Sequence, residues 1–414
     1  SQKCAPEREN TIATHDAPKQ GFTILFILEL DMTKNVKPLF SPRRLKKYRC
    51  RAMLPPGRKR SHKGGEAETV AEELGIFTRY GKRGASSRLR YFDYKDAFEA
   101  AGFSPHFHPF FPDAYLKRLY AGNGKSRLLA AEALLRRLAT MSAHLPERLL
   151  IEYELLPELA FGIESHFLRN RRYVLNFDDN VWLKYEGRGR LAEKYDRLIA
   201  GAAGVVCAND LLLEKARKHN ANVIKIPTAV NLESYPAQAR KFPDFTVAWI
   251  GTPVTYEYLE SHAEALQSMA LAVDFERLVI ARKELASRAI PGVNMRFVDW
   301  SAAREGELLA RCHIGIMPLP AGDAFAAGKS AFKLIEYLAA GVPSIASPVG
   351  ENTKVLRDGE TGYLAETPEE WTNALIRLKD DTIRGRFAMN ALAFEYSQQK
   401  FGPIYADFLR RVLR

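Results

Sequence analysis

Residues 325–364 gather the residue types that bind a diphosphate. The run Gly328-Lys329-Ser330-Ala331-Phe332-Lys333 places small residues and two ammonium groups where an amphipathic helix over 328–340 is expected to open. Small residues at a helix start leave the backbone N–H groups bare at the positive end of the dipole, which makes an anion site. Ser330, Ala331 and Phe332 would supply those amides, and Lys329 and Lys333 the countercharge. Glu336 follows on the same helix, where its carboxylate could hold a sugar diol; the plainer reading is an ion pair with Lys333 at i,i+3. Gly341 ends the helix, Pro343 opens an apolar strand, and a second Gly-rich loop follows at Pro348–Gly350. The chemistry this suggests is that of a nucleotide sugar.

Three further groups are candidates. Gly251-Thr252-Pro253 stands between a strand and a helix, as a phosphate or sugar loop would. Asp178 and Asp179 end a strand, where side chains of parallel sheets face the ligand; they could grip acceptor hydroxyls or a metal, or simply cap a helix. Ser86, Ser87 and Arg88, with Arg90, lie in a Gly/Ser/Arg loop expected over 81–90 and could hold an anionic acceptor. Gly124-Lys125-Ser126 and Gly328-Lys329-Ser330 echo the nucleotide-binding pattern G-x-x-x-x-G-K-[ST]. Leu119 and Asp323 stand where its first glycine belongs, so a P-loop ATPase is not expected. His106, His108 and His166 show no metal-ligand spacing.

The elements that must position these groups alternate. Apolar strands are expected at 74–80, 149–154, 173–177, 204–208 and 222–226, with helices between them at 91–101, 114–143, 155–169, 190–201 and 210–219. After the proline-bearing segment 227–242 the alternation restarts, with strands at 246–250, 275–280, 295–298, 314–318, 344–346 and 362–364. Repeated βα units predict parallel sheets covered by helices on both faces. The expected fold class is therefore α/β. It has an N-terminal Rossmann-like half over 71–230 and a C-terminal half over 231–399, with a last helix near 400–414 packing back onto the first half. The ligand is expected in the crevice at the strands' C-terminal ends.

Composition narrows the classes. The chain has 414 residues, 46% of them hydrophobic, enough for two domains. No apolar run approaches the ~20 residues that span a bilayer, and 21–30 is too short. Cys4, Cys50, Cys207 and Cys312 are scattered, which fits a reducing cytoplasm better than a zinc site or a disulfide framework. The net charge is +12, but residues 1–65 hold 15 Lys/Arg against 5 Asp/Glu, so +10 sits there and +2 on the rest. Residues 1–70 read as a basic extension, and no nucleic acid is expected as partner of the body. Lys117, Arg118, Lys125, Arg127, Arg136 and Arg137 beside leucines at 114–143 allow a peripheral contact with an anionic membrane.

On these motifs the sequence resembles the family-four (group 1) retaining glycosyltransferases of the GT-B fold. The likeness lies in Ile314–Gly350 and Gly359–Leu364, supported by Trp249–Leu259, Ile226–Tyr235, Phe177–Trp182 and Ala85–Arg90, and covers roughly 74–414. The resemblance implies transfer of a sugar, with retention, from a nucleotide-diphosphate sugar to a glycan or lipid-linked acceptor, and no cofactor or metal. A GT-B epimerase or phosphorylase is the alternative enzyme; a membrane or nucleic-acid binder acting through the basic arm is the alternative class. By resemblance, Glu336 matches the second glutamate of the family's Glu-x7-Glu motif, which binds ribose. Gly328 stands where the first belongs, and Lys329-Ser330-Ala331 align with the Gly-Phe-Gly diphosphate cradle. Thr252 and Thr255 replace the family's Arg and Lys, so Lys329 or Lys333 is expected to meet the leaving group. Base contacts would come from Phe297–Trp300, including Phe297 and Val298, and Asp178-Asp179 would lie near the reacting centre.

Overall fold

The computed structural model describes residues 71–414 apart from 122, 237, 393 and 394, so the basic segment 1–70 lies outside the described residues. The first sheet comprises β1 (Glu72–Phe77), β2 (Phe103–Phe107), β3 (Arg148–Glu152), β4 (Arg172–Phe177), β5 (Gly204–Cys207) and β6 (Val223–Lys225). The second comprises β7 (Thr246–Ile250), β8 (Glu276–Ala281), β9 (Met295–Asp299), β10 (Ile314–Met317), β11 (Ser344–Ala346) and β12 (Gly362–Leu364). Their orders are β2-β1-β3-β4-β5-β6 and β12-β11-β10-β7-β8-β9. Every pairing between named strands is parallel.

The central strands are apolar on both faces because helices cover both. Leu149 and Ile151 of β3 point into one core, with Leu175 and Leu198, while Leu150 points into the other, with Val174 and Phe408. Strand β2 has no counterpart in the sequence-based reading. Pro105 and His106 spoil its pattern, and a proline is tolerated there because β2 is an edge strand. The loop expected at 81–90 is instead helix Ala85–Arg90, and the helix expected at 155–169 shortens to Phe161–Leu168.

The chain passes from the first sheet to the second through 226–245 and returns beside that crossing. Val230 N donates to Tyr396 O at 3.2 Å, and Gln398 N donates to Val230 O at 2.9 Å. Helix Gln398–Leu413 then packs Tyr405, Phe408, Leu409 and Val412 against Leu74, Ile76 and Val174 of the first sheet. Tyr405 fixes the helix further, its hydroxyl accepting from Asn176 Nδ2 at 2.5 Å.

Strand order locates the crevices. The first sheet reverses direction between β1 and β3, and the second between β7 and β10. Loops that leave neighbouring strands at such a switch point diverge and open a ligand site. The loops after β1 and β3 carry Thr78, Arg79 and Tyr153; those after β7 and β10 carry Thr252 and the 318–331 segment.

Candidate active site

The loop after β10 departs from the single helix expected over 328–340. A short helix, Ala324–Ala327, is followed by a break, and the next helix runs Phe332–Ala339. Ala331 causes the break: it sits in the left-handed region at φ 52°, ψ 26°, which cannot continue a right-handed helix. Such a residue costs about 1–3 kcal/mol and persists where the surroundings enforce it, often at functional sites. The break has a chemical consequence. Leu334 N and Ile335 N both turn to Ala331 O, and the amides of Ser330, Ala331, Phe332 and Lys333 find no acceptor among the described residues. Gly350 backs this loop at φ +55°, with no room for a Cβ against the Ala327 carbonyl.

Two lysines flank the bare amides and differ in state. Lys329 Nζ lies 3.2 Å from both carboxylate oxygens of Asp179, above the Phe325 ring at 4.2 Å. Lys333 makes no hydrogen bond or ion pair among the described residues; its ammonium stands 5.4 Å from the centre of the Trp249 ring. Burial lowers Lys333 to about 8, helped by Lys329 and opposed by Glu336 and Asp179. The i,i+3 ion pair between Lys333 and Glu336 is not formed. Glu336 is buried near Glu305, a residue that no motif singled out. Burial and the neighbouring Glu305 hold Glu336 well above the usual carboxylate range.

The first domain presents Asp178, Asp179 and Asn180 from the end of β4. Asp178 is buried and accepts a hydrogen bond from the Tyr153 hydroxyl. Burial raises Asp179, with Lys329 opposing and Asp178 adding to the rise. Two amide side chains grip the carbonyls of the facing loop: Asn180 Nδ2 donates to Ala324 O at 2.6 Å, and Asn209 Nδ2 donates to Gly328 O at 2.8 Å. Gly328 therefore stands against Asn180. A Cβ there would lie 2.6 Å from Asn180 Oδ1 and 2.8 Å from Nδ2, so the glutamate of the resemblance has no room.

The other expected residues are not all where the reading put them. Ser86, Ser87 and Arg88 lie on helix Ala85–Arg90, not in a loop. Ser87 is fully buried and donates to Glu152 Oε2 at 2.6 Å, while accepting from Tyr80 N at 3.0 Å. It therefore orients Glu152, which burial and Asp178 push up to about 7. Arg88 points to the other domain, 5.9 Å from the Trp300 ring, beside Glu305 and Glu336. Arg90 is buried and spans Asn176 Oδ1 at 2.8 Å and Ile226 O at 3.0 Å. Its contact with Thr228 continues to Ser330 Oγ at 3.4 Å.

Thr252 N donates to Thr255 Oγ1 at 3.0 Å, so that amide of the Gly251 loop is already engaged. Phe297 and Val298 are consecutive on edge strand β9 and pack into cores on opposite sides of the sheet, so their side chains cannot share one ligand. Arg137, grouped by sequence with a surface face, is buried and donates to Leu155 O, Thr78 O and His108 O. Ser126 of the first decoy motif caps helix Arg127–Ala143. Among the described residues no cluster of three His, Cys, Asp or Glu is placed to hold a metal ion.

Residues 244–381 match the family Glycosyl transferases group 1. A D-inositol 3-phosphate glycosyltransferase from Nocardioides sp. is 43% identical over 60 residues, a stretch that spans 14% of this chain and 13% of that enzyme. Among solved structures, sucrose-phosphate synthase from Thermosynechococcus elongatus superposes with a TM-score of 0.57 at 13% identity, over 82% of this chain and 99% of the other. Anabaena HepE, solved with UDP, gives 0.54 at 13% identity over 82% and 100%. A glycosyltransferase from Rickettsia africae gives 0.54 at 13% over 83% and 99%. At these identities the structural likeness establishes the fold, two Rossmann-like domains facing a cleft.

Proposed function

We infer that this chain, which carries a group 1 glycosyltransferase domain over residues 244–381 on a GT-B frame, moves a sugar from a nucleotide-diphosphate sugar to a glycan or lipid-linked acceptor with retention. The observation that carries this reading is the run of amides at 330–333 that have no acceptor among the described residues, beside a Lys333 ammonium with no ion pair among them, facing Asp178 and Asp179 across the cleft. Departure of a nucleoside diphosphate builds negative charge, and preformed N–H donors aimed at such charge contribute about 2.7–4 kcal/mol each at well-placed positions. Lys333 supplies a cation with no competing carboxylate bond. Lys329, now on Asp179, is within the same loop and can exchange that partner for the phosphate. Glu336 takes the ribose.

In this reading the acceptor enters from the Asp178–Asp179 side, where Glu152 and Tyr153 also converge. The acceptor attacks the face from which the diphosphate leaves, and the leaving phosphate takes the acceptor proton, so no protein nucleophile is assigned. Cell-surface polysaccharide is the proposed product class. A lipid-linked acceptor suits the outer face of helix Arg127–Ala143, where Leu128 and Leu135 are 80% and 68% exposed. Arg127 and Arg136 of the same helix are exposed, as are Lys117 and Arg118 of helix Asp113–Tyr120, a composition suited to an anionic lipid surface.

The test begins with a thermal-shift panel of UDP, GDP and ADP sugars, since a ligand that binds the native state raises its melting temperature. UDP sugars come first because the HepE fold relative was solved with UDP. Stabilisation that is reduced by Glu336→Ala supports the donor site; unchanged affinity of that variant in calorimetry removes the ribose assignment. NMR of the product's anomeric proton then decides retention, and turnover without any acceptor would identify an epimerase instead.

A further inference from the structure

We propose that Arg90 and Thr228 are positioning residues for the diphosphate, forming a relay that holds the Ser330 hydroxyl ready to donate to a phosphate oxygen. The proposal rests on the donor reading above. Arg90 closes helix Ala85–Arg90 and is 3% exposed, yet it makes no ion pair among the described residues. Its Nε donates to Asn176 Oδ1 at 2.8 Å, and its Nη1 to Ile226 O at 3.0 Å and Thr228 Oγ1 at 3.3 Å, all of them neutral acceptors. Nη2 is buried and has no acceptor among the described residues. A buried guanidinium is costly unless its charge is offset, and no carboxylate is bonded to this one. The charge therefore favours an anion at the loop it reaches through Thr228.

The direction of each link follows from the groups that make it. Arginine only donates, while a hydroxyl has one proton to give and accepts on its lone pairs. Thr228 Oγ1 receives from Arg90 and so turns its own proton to Ser330 Oγ, at 3.4 Å. Thr228 is buried, so water does not compete for its hydroxyl. Ser330 Oγ, engaged as an acceptor, keeps its proton for a third group, and among the described residues it donates to none. The amide of Ser330 is one of the four that have no acceptor among the described residues. A phosphate oxygen at this loop would meet two donors from one residue, and the relay sets the second in its donating orientation beforehand. Preorganised donors bind charge without the cost of reorienting. At 3.3 and 3.4 Å both links are long, and an anion on Ser330 should shorten them, because hydrogen bonds in a chain polarise one another. The relay runs from the first domain, through the crossing segment, to the donor loop of the second.

Calorimetry of the full chain with UDP, GDP and ADP tests the relay, the tightest of the three being carried through the variants. Ser330→Ala removes a hydrogen bond to a charged group and should weaken binding about tenfold to a hundredfold. Thr228→Val keeps the shape of the side chain but cuts the link, and should weaken binding about twofold to tenfold, the worth of one neutral hydrogen bond. In the Ser330→Ala background Thr228→Val should cost nothing further, because its effect runs through that hydroxyl. Thr228→Ser, which keeps the hydroxyl, should bind as wild type does. Arg90→Met should weaken binding more than Thr228→Val, since it removes the charge along with the link; if that variant does not fold, the Thr228 and Ser330 cycle decides by itself. Wild-type affinity in Thr228→Val, or strictly additive losses in the double variant, overturns the relay and leaves the donor reading standing. A wild type that binds none of the three nucleotides removes the donor reading and the relay together.

Discussion

Gly328→Ala should slow the enzyme without loosening either domain. The backbone at 328 has φ −83° and ψ 0°, which alanine adopts freely, so any cost comes from contact alone. The new Cβ would stand 2.6 and 2.8 Å from Asn180 Oδ1 and Nδ2, and Asn180 is buried with Oδ1 already without a partner among the described residues. The amide must swing away, and its 2.6 Å bond to Ala324 O is lost. A lost neutral hydrogen bond costs about 0.5–1.5 kcal/mol net, and overpacking adds about 1–3 kcal/mol. Asn180 belongs to one domain and Ala324 to the other, so this total falls on the closed arrangement of the cleft. At about 1.4 kcal/mol per factor of ten, transfer should slow roughly tenfold to a thousandfold. The assay is kcat with the donor found by thermal shift, in a double-mutant cycle with Asn180→Ala. Removing the asparagine removes the obstacle, so Gly328→Ala should cost little in that background. Full activity of Gly328→Ala, or strictly additive losses, would refute the reasoning. Gly328→Glu, which restores the acid of the family pattern, should be worse still.

The other expectations concern charge and surface. Lys333→Ala should weaken nucleotide-sugar binding by about 1.5–3 kcal/mol, the value of a hydrogen bond to a charged group, read by calorimetry. Because burial holds Lys333 near 8, wild-type affinity should fall as pH rises through about 8 and the ammonium is lost; Lys333→Arg should flatten that limb. Glu154 is buried between Lys184 and Lys194 at 2.5 and 2.7 Å; burial would raise its carboxyl, and the two lysines outweigh burial and hold it below the usual range. Its stabilisation is present at neutral pH and fades as pH falls below the ordinary glutamate range. Glu154→Gln should cost about 3–5 kcal/mol in urea unfolding at pH 7, chiefly through the charge of Lys184, since Lys194 keeps Glu164 at 2.8 Å. Leu128→Asp with Leu135→Asp should abolish sedimentation with phosphatidylglycerol vesicles, since each buried leucine is worth about 1.5–3 kcal/mol; retained binding would place the lipid contact elsewhere.

Much of the fold was legible because its signals are local. Strand β7 runs over Thr246–Ile250, as its apolar run indicates, and the Gly341-Val342-Pro343 break falls between helix and strand. The misreadings also have local causes. Pro105 hid an edge strand, and nothing in the side chain of Ala331 announces a left-handed backbone. The candidate site was legible in its charged groups and illegible in its partners. Lys329 and Asp179 could each be named from the sequence; that they meet at 3.2 Å across 150 positions could not. Glu152 ends an apolar strand, which is a signal in retrospect, whereas Glu305 sits on an ordinary amphipathic helix and gave none.

By itself, then, the sequence determined the two runs of βα units, the acidic strand end at Asp178-Asp179 and the small-residue loop with its two lysines. Periodicity and turn chemistry act within a few residues and are written directly into the chain. The tertiary structure alone decided which amides at 330–333 stay bare, which lysine is paired and which is not, why Gly328 has no room for a side chain, and that Glu336 shares its burial with Glu305. Those outcomes depend on packing between segments far apart in sequence, where desolvation and contact distance set both charge state and space.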